Sequence, residues 1–449
     1  MEKVLFAFYN ILLLLLFPFF FIALFLFSLT KNKKSQGFFY KLFPFAYRRF
    51  KDYVSEDGIW IHAVSLGEMR ASVNFIELVK SNVNKKIYLS STTKTGFDFA
   101  NNLYKNDSNI LIFYFPYDFY FSIKSILQHI SPILFISIET EVWPNLFNIL
   151  RKENIPIAII NARISDKSYK NYLNFHFFFK YVFEKINIVL CISETYREKF
   201  VRLGISVENI HITGNMKFDL NVGLIADGIK EKNNKLRGIF NCGKIIAAGS
   251  THKGEENIIL NAVMKLNRNK KDKIFLFIAP RHPERFDEVF HFLENSGIKI
   301  YKLSFIYSPD FNSDVCKSEG PKAVAILVDI IGELLAAYSI CDAAFVGGSM
   351  VNAGGHNLLE PLVFGKPVIF GRYTQNFLEI AEEIIKTESG ISVNSPQELD
   401  DALAEYLYNE KASKTASKNG LKLISQNKGS SQLNFNYLYI YLRAGGPTA

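Results

Sequence analysis

The sequence predicts two doubly wound α/β domains that follow an N-terminal membrane helix. Two observations carry this prediction. After residue 57, fourteen short apolar runs rich in β-forming residues alternate with helical patterns, and an uncharged apolar run occupies residues 4–30. Near-continuous apolar strands separated by helices are typical of parallel sheets covered on both faces. The length of 449 residues agrees with two domains of about 200 residues each.

The N-terminal segment over residues 1–30, which contains this apolar run, is predicted to be a membrane anchor. A bilayer core requires about 20 apolar residues, and the apolar core of a cleaved signal peptide is shorter than this run. Lys31, Lys33 and Lys34 follow it directly, whereas its other flank carries only Glu2, Lys3 and the terminal amine. Because basic residues flank membrane helices on the cytoplasmic side, we expect a single-pass protein of the inner membrane with its domains in the cytoplasm.

A basic and aromatic segment over residues 31–56 connects this anchor to the domains. Between Lys31 and Lys51 it holds seven Lys or Arg residues, no acid and many aromatic side chains. Such a composition is also found in nucleic-acid-binding proteins. Its position directly after a membrane segment favours inner-membrane lipids instead, because each basic residue near anionic lipid contributes about 1 kcal/mol. A second aromatic segment, 174–183, is predicted to be either a buried helix face or a further interfacial patch.

The alternating pattern divides the chain into a first domain over 57–220, a linker over 221–243 and a second domain over 244–449 that ends in helices. The predicted strands are 59–64, 86–91, 110–115, 133–139, 155–161, 188–193 and 210–214 in the first domain, and 244–250, 273–279, 298–303, 323–329, 343–348, 367–371 and 390–394 in the second. Residues 304–322 are predicted to form an irregular loop. Ligands of such sheets bind beyond the carboxyl ends of the strands, so we expect a site in a cleft between two domains.

Several classes of protein are excluded by missing motifs. Neither G-x-G-x-x-G nor G-x-x-x-x-G-K-[ST] occurs, so neither a dinucleotide fingerprint nor a P-loop is supported. The four cysteines are scattered and form no C-x-x-C pair, which argues against a metal ribbon or a disulfide framework and indicates a reducing compartment.

The most informative segment of the second domain is GGSMVNAGGHNLLEP, after a predicted strand. Two Gly pairs flank a loop, and the residues from His356 are predicted to begin a helix whose exposed N–H groups attract phosphate. Glu360 lies one turn after Asn357, where a carboxylate suits a ribose. The pattern favours a nucleotide site, and a Gly-rich loop before a solvated helix is the alternative.

Other polar residues after strands carry weaker signals. Arg281 suits a phosphate or a carboxylate, but it is equally compatible with a plain surface position. His252 and Lys253 open a helix and are compatible with an anion site or an ordinary loop. Glu139 and Glu141 could resemble a metal-binding acid pair, but no His or Cys stands near them in the sequence, so we predict metal independence.

The tetrapeptide Ser65-Leu66-Gly67-Glu68 has two readings. Serine three residues before glutamate is the pattern of a capping box at a helix start. The same spacing after a strand could instead place the Glu68 carboxylate at the mouth of an active site. The tetrapeptide alone favours the cap.

Together these segments resemble the bacterial 3-deoxy-D-manno-octulosonic acid (Kdo) transferases of lipopolysaccharide synthesis. The segments that carry the resemblance occur in the family's order and are WIHAVSLGE, ETEVWPNL, NARIS, GNMKFD, STHKGEE, PRHPERF, the GEL of DIIGEL, and GGSMVNAGGHNLLEP. The resemblance implies a B-type glycosyltransferase fold of two Rossmann-like domains. It also implies transfer of Kdo from CMP-Kdo to a lipid A precursor (lipid IVA), with inversion and without a required metal or other cofactor.

The same resemblance implies a role for individual residues. Glu68 matches the general base, and Glu139 and Lys217 match positions that stabilise the transition state. The residues that match CMP-binding segments are Pro280, Arg281, Ile331, Gly332, Glu333, Asn357, Leu358, Leu359 and Glu360. Two rival interpretations are a B-type transferase that uses a UDP-sugar and a membrane-anchored binding protein with two lobes and no catalysis.

Overall fold

The computed structural model describes residues 2–29, 38–44, 56–219, 222–269, 272–311 and 323–444. The chain divides into two compact units. Unit 1 comprises residues 1–219 and 428–449, and unit 2 comprises residues 220–427. Each unit contains one parallel seven-stranded sheet within its described residues, so the predicted fold class of two doubly wound domains is confirmed.

The sheet of unit 1 has the strand order β3-β2-β1-β4-β5-β6-β7, and all its described pairings are parallel. Its strands are β1 (Asp57–Ala63), β2 (Lys86–Ser91), β3 (Ile110–Tyr114), β4 (Ser131–Ile138), β5 (Ile157–Ala162), β6 (Ile188–Cys191) and β7 (Ile210–Ile212). Its helices up to β7 are α1 (Glu2–Leu29), α2 (Phe38–Leu42), α3 (Leu66–Asn82), α4 (Lys94–Tyr104), α5 (Tyr120–Leu127), α6 (Pro144–Lys152), α7 (Asp166–Asn174), α8 (His176–Phe183) and α9 (Glu194–Arg202). Apolar cores lie on both faces of the sheet, as near-continuous apolar strands require.

The sheet of unit 2 has the order β10-β11-β9-β8-β12-β13-β14 and is likewise parallel. Its helices are α10 (Val222–Phe240), α11 (Glu255–Asn269), α12 (Phe286–Asn295), α13 (Leu303–Ile306), α14 (Leu334–Ile340), α15 (Leu359–Val363), α16 (Leu378–Lys386), α17 (Pro396–Tyr408) and α18 (Glu410–Asn427). Its strands are β8 (Gly243–Thr251), β9 (Lys273–Pro280), β10 (Lys299–Lys302), β11 (Ala323–Leu327), β12 (Ala343–Val346), β13 (Val368–Gly371) and β14 (Gly390–Val393). The fourteen predicted strands are all present, because each is a short apolar run between clear turn residues.

The N-terminal helix α1 is long and apolar enough to cross a membrane by length and composition. One face of its first half nevertheless packs on unit 1. Phe6 is buried in the core of this unit, and the Tyr9 hydroxyl donates to Asp118 at 3.0 Å. The side-chain amides of Asn10 and Asn145 bond reciprocally at 2.9 Å. Tyr9 and Asn10, two polar residues within the apolar run, are therefore paired with protein groups.

The predicted linker over 221–243 is not a linker in the structure. Residues 222–240 form helix α10, which is part of unit 2. The physical reason is an apolar face, because Leu236 is buried and the ring of Phe240 lies 4.8 Å from that of Phe275 and 5.2 Å from that of Phe277. The predicted segment over 31–56 lies mostly outside the described residues, apart from α2 and its neighbours. Of the predicted loop over 304–322, the start belongs to the short helix α13 and residues 312–322 lie outside them.

The last helix, α19 (Ser430–Ala444), also departs from the predicted division, since it was assigned to the second domain and belongs to unit 1. The buried Asp219 carboxylate accepts the backbone N–H groups of Gly429, at 2.6 Å, and of Ser431, so it caps this helix. Leu438 and Leu442 are fully buried in the core of unit 1. The cap from Asp219 and the burial of Leu438 and Leu442 together hold α19 on the sheet of unit 1.

Replacing Asp219 by alanine is expected to lower the free energy of unfolding of unit 1 by about 2 kcal/mol, because a charged cap with two backbone donors is lost. Calorimetry of the full chain in detergent measures this as a lower transition temperature. Gln432→Ala is the matched control, since Gln432 lies on the exposed face of α19 and bonds only Asn436 among the contacts described here. Equal transition temperatures for the two variants would contradict the capping role.

Candidate active site

Glu68 lies in the first turn of α3, directly beyond the carboxyl end of β1. Ser65 is the N-cap residue, and its hydroxyl oxygen accepts the Glu68 backbone N–H at 3.3 Å. The Glu68 carboxylate reaches back, where it accepts the Ser65 hydroxyl at 2.9 Å and the backbone N–H of Val64 at 2.7 Å. The capping box predicted from the tetrapeptide is therefore formed. Its carboxylate accepts the backbone N–H of Val64, the residue before the N-cap. Each carboxylate oxygen keeps a second lone pair for a proton.

Glu139 follows β4 in a backbone conformation that is unusual for its residue type. Its φ of 61° lies in the left-handed region, which costs a non-glycine residue about 1–2 kcal/mol. Its carboxylate contacts two cations, Nε of Arg163 at 2.8 Å and Nζ of Lys217 at 3.2 Å. All three side chains are largely shielded from solvent. Strain of this kind often marks a functional position.

Lys217 is held by a short 3₁₀ turn after β7, over residues 216–218. The Asn215 side-chain oxygen accepts the Lys217 backbone N–H at 3.0 Å, and the Asn161 side-chain oxygen accepts that of Met216 at 2.9 Å. Asn161 itself is the penultimate residue of β5 and has a φ of 52°. The NARIS and GNMKFD segments thus fix the position of the ammonium group beside Glu139.

The electrostatics of this cluster favour a carboxyl group that exchanges protons near neutral pH. Burial, and secondly the negative charge of Glu139, raise the pKa of Glu68 to about 7, although the hydrogen bonds from Val64 and Ser65 oppose the shift. The pKa of Glu141 is also raised to about 7, by burial and then by Glu139. A general base works best with a pKa near the working pH. Glu68 therefore has the protonation behaviour of a base, in addition to its capping contacts.

In unit 2, the backbone of the Gly-rich loop after β12 is held by an internal carboxylate. The backbone N–H groups of Gly348, Ser349 and Met350 donate to the buried carboxylate of Glu255 at 2.7–3.1 Å. The backbone N–H of His252 donates to the same carboxylate at 2.9 Å. An internal carboxylate therefore occupies these three N–H groups, whereas the N–H groups predicted to attract phosphate are those of the helix start after His356.

The predicted CMP-binding residues follow three strands that are close together in the sheet. Pro280 ends β9, and the backbone N–H of Arg281 donates to the carbonyl of Thr251 at 3.0 Å. After β11, the Ile331 side chain is exposed and Gly332 has a φ of 94°. Glu333 is buried, where it accepts the Tyr307 hydroxyl at 3.0 Å and pairs with Lys232. Its carboxylate is thus engaged by the protein itself.

The third group of predicted CMP-binding residues, 357–360, precedes and enters α15, which begins at Leu359 rather than at His356. Leu358 and Leu359 are fully buried, so they shape the loop from inside. The side chain of Asn357 accepts the Leu359 backbone N–H at 3.1 Å and donates to Glu360 at 3.3 Å. Asn357 and Glu360 are therefore the polar side chains of this group, on one face as predicted from their spacing.

Three residues with a structural role in these sites received none from the sequence. Arg163 and Asn161 belong to the segment NARIS, and Glu255 belongs to STHKGEE, both of which carry the family resemblance. The structural role of each residue depends on a partner that follows a different strand, and the sequence does not show that partner. The signal that was present is position, since Asn161 and Arg163 lie at the carboxyl end of β5 and Glu255 lies four residues after the end of β8. Within the described residues, no group of three or more His, Cys, Asp or Glu side chains is arranged to hold a metal ion.

Two doubly wound units, one of which holds a carboxyl group of raised pKa and a separate carboxylate paired with two cations, have the character of a glycosyltransferase with the B-type fold. Residues 37–220 match the family model described as 3-deoxy-D-manno-octulosonic-acid transferase, and residues 319–423 match glycosyl transferases group 1. The chain is 34% identical to the 3-deoxy-D-manno-octulosonic acid transferase of Haemophilus influenzae, over 86% of this chain and 87% of that one. The chain therefore belongs to the 3-deoxy-D-manno-octulosonic acid transferase family.

Further similar proteins include a longer relative and two solved structures. A bifunctional glycosyltransferase/methyltransferase of Fusobacterium nucleatum is 38% identical over 81% of this chain, which spans only 54% of that protein. The C-terminal CMP-Kdo binding domain of WaaA from Acinetobacter baumannii is 28% identical, covering 44% of this chain and 99% of that one with a TM-score of 0.40. UDP-GlcNAc 2-epimerase from Neisseria meningitidis is 14% identical and covers 86% of this chain and 100% of that one with a TM-score of 0.55, which indicates a shared fold.

Proposed function

We propose that this protein transfers Kdo from CMP-Kdo to a lipid A precursor, lipid IVA, with inversion at the anomeric carbon and without a metal. The observation that carries the proposal is the Glu68 carboxyl group, which is fixed by two hydrogen bonds and has a pKa of about 7 in a chain of this family. Membership of the family supports the donor and the class of acceptor. The geometry of Glu68 supports the role of a base.

The reaction is a single displacement in which this chain supplies a base and cations. An acceptor hydroxyl oxygen attacks the anomeric carbon of Kdo and forms the new glycosidic bond. The bond from that carbon to the phosphate oxygen breaks, and CMP leaves with the electron pair. Glu68 takes the proton of the hydroxyl, since each of its oxygens retains a free lone pair. Lys217, paired with Glu139 in the same unit, opposes the negative charge that develops in the transition state.

The predicted anchor gives the reaction a location at the cytoplasmic face of the inner membrane. The apolar side chains of α1 that face away from unit 1 include Phe8, Leu12, Leu15 and Phe19, all exposed in the structure. Burying such side chains in lipid is favourable by about 25 cal/mol per Å² of apolar surface. A glycolipid acceptor in the inner leaflet would then reach a transferase that is held at the same surface.

The proposal is tested by incubating membranes that contain the protein with CMP-Kdo and a tetraacylated lipid A precursor. Formation of a Kdo-lipid is expected, with competition by CMP stronger than that by UDP. Dominant competition by UDP would indicate a UDP-sugar transferase instead. Binding of CMP without any transfer would support the non-catalytic binding protein. Membranes with Glu68→Ala provide the inactive reference.

The pH dependence of transfer follows from the raised pKa of Glu68. A base acts in its ionised form, so kcat/KM is expected to be full above pH about 7 and to fall about tenfold per unit below it. Glu139→Gln removes the negative charge that raises the pKa of Glu68, so the decline is expected to move to lower pH. Glu141→Gln is the control. The charge of Glu141 makes the smallest contribution to the pKa of Glu68, so its removal is expected to shift the pH profile of transfer less. A profile that is unchanged by Glu139→Gln would contradict the assignment of this limb to Glu68.

A further inference from the structure

Three histidines of unit 2 follow neighbouring strands of its sheet. His252 follows β8, His282 follows β9, and His356 lies in the loop after β12; these three strands are adjacent in the order β9-β8-β12. The rings of His252 and His356 are nearly parallel, with an angle of 9° between their planes, and their Nε2 atoms are 2.8 Å apart. The ring of His282 stands edge-on to that of His252, with centroids 5.5 Å apart. The carboxyl ends of parallel strands are where ligands of such sheets bind.

The contact between the two Nε2 atoms limits the protonation of the pair. At 2.8 Å one nitrogen must donate and the other must accept, so a single proton lies between them. The ring that donates through Nε2 is neutral only while its own Nδ1 has no proton. An additional proton can therefore enter the pair at that Nδ1 without breaking the contact.

The surroundings of the pair are rich in positive charge. Burial lowers the pKa of His252, and His282, Arg285 and Arg281 lower it further in that order, whereas Glu256 opposes them. Glu256 is itself paired with Arg285 at 2.8 Å, so much of its charge is compensated. The Glu255 carboxylate is directed to the backbone N–H groups of the loop. These surroundings consequently disfavour the charged form of His252.

The pair is built into the fold rather than formed by flexible side chains. The Glu255 carboxylate ties the backbone of His252 to the loop that leads to His356. Gly348 adopts a φ of 69° directly beside the rings, and a Cβ atom there would lie 2.9 Å from Cδ2 of His356. Both histidines remain half-buried, so a ligand at this edge of the sheet can reach them.

We propose that the His252–His356 pair takes up a proton from solvent when the phosphate of the cytidine nucleotide binds, and so becomes a cation that contacts this phosphate. The inference rests on the proposed function, because it requires a nucleotide phosphate at this edge of unit 2. A nearby anion favours the charged form of an imidazole and offsets the repulsion from Arg281, Arg285 and His282. By linkage, proton uptake and nucleotide binding then strengthen each other equally.

Isothermal titration of the full chain with CMP in detergent tests this proposal. Measurements at pH 7.5 in buffers with different ionisation enthalpies give the number of protons taken up, at a pH where the free phosphate, with a second pKa of about 6, is almost fully ionised. Net uptake that approaches one proton per CMP is expected, and CMP affinity is expected to fall by up to about tenfold per pH unit above that pH. Both effects are expected to disappear in His252→Gln and in His356→Gln.

His291→Gln is the matched control, because His291 is an exposed histidine of the same unit that pairs with Glu294. This variant is expected to keep the proton uptake of the parent, while circular dichroism checks that all three variants are folded. CMP binding without proton uptake in the parent would overturn the role of the pair and leave the proposed function standing. Uptake that persists in both pair variants would do the same. A parent that does not bind CMP would overturn the inference together with the donor.

Discussion

Glu68→Gln is expected to reduce transfer by about 10²–10⁴-fold while the protein keeps its fold. Glutamine preserves the shape of the side chain, and its carbonyl oxygen can accept the Val64 N–H while its amide donates to the Ser65 hydroxyl oxygen. Both capping contacts are therefore retained, although the hydrogen bond with Ser65 reverses its direction, whereas the base is lost. Initial rates with CMP-Kdo and the lipid A precursor, together with the transition temperature, measure the two effects separately.

The chain contains a matched control for this substitution. At the start of α17, Ser395 and Glu398 form the same pattern, in which Glu398 accepts the Ser395 hydroxyl at 3.3 Å and the backbone N–H of Asn394 at 2.9 Å. Glu398 is exposed, whereas Glu68 is half-buried beside Glu139. Glu398→Gln is expected to leave transfer unchanged, and Ser65→Ala is expected to lower stability by about 1 kcal/mol. If Glu68→Gln lowered only the transition temperature, Glu68 would be a cap without a catalytic role.

The strands and the order of the two domains could be predicted because short apolar runs and intervening helices are local signals. All fourteen strands are present, with ends that differ from the prediction by one or two residues at most. The stretch over 221–243 was misassigned because a polar composition suggested a linker. Leu236 and Phe240 of α10 stand four residues apart, at helical spacing, and both are buried in unit 2. Helical periodicity was the signal that composition obscured.

The site was predictable in its location but not in its contacts. Parallel strands bring Glu68, Glu139 and Lys217 to one edge of a sheet, and this follows from topology alone. The bond from Glu255 to the backbone of Gly348 joins residues 93 positions apart, and the contact between His252 and His356 spans 104 positions. No local pattern encodes such pairings. A buried carboxylate in the first turn of a helix was the available indication that a backbone donor lay nearby.

Lys217→Ala is expected to reduce kcat by about 10²-fold with a smaller change in KM for the donor, because the ammonium group opposes charge that develops mainly in the transition state. The side chain lies 3.2 Å from Glu139 and is fixed by the 3₁₀ turn that Asn215 caps, so its position depends little on a ligand. Steady-state kinetics with varied CMP-Kdo measure the change. Lys199→Ala is the control, since Lys199 pairs with the exposed Asp166 at 2.7 Å in the same unit.

A double-variant cycle decides whether Lys217 acts on the reacting atoms or only through Glu139. If the ammonium group serves only to hold Glu139 in place, Lys217→Ala adds nothing once Glu139→Gln is present. If it stabilises the transition state itself, the double variant loses further turnover relative to Glu139→Gln. We expect the further loss. In the parent, Arg163 binds the Glu139 carboxylate at 2.8 Å through the oxygen that Lys217 does not contact, so Arg163 can hold the side chain at position 139 without Lys217. Equal turnover of Glu139→Gln and the double variant would reduce Lys217 to a positioning residue.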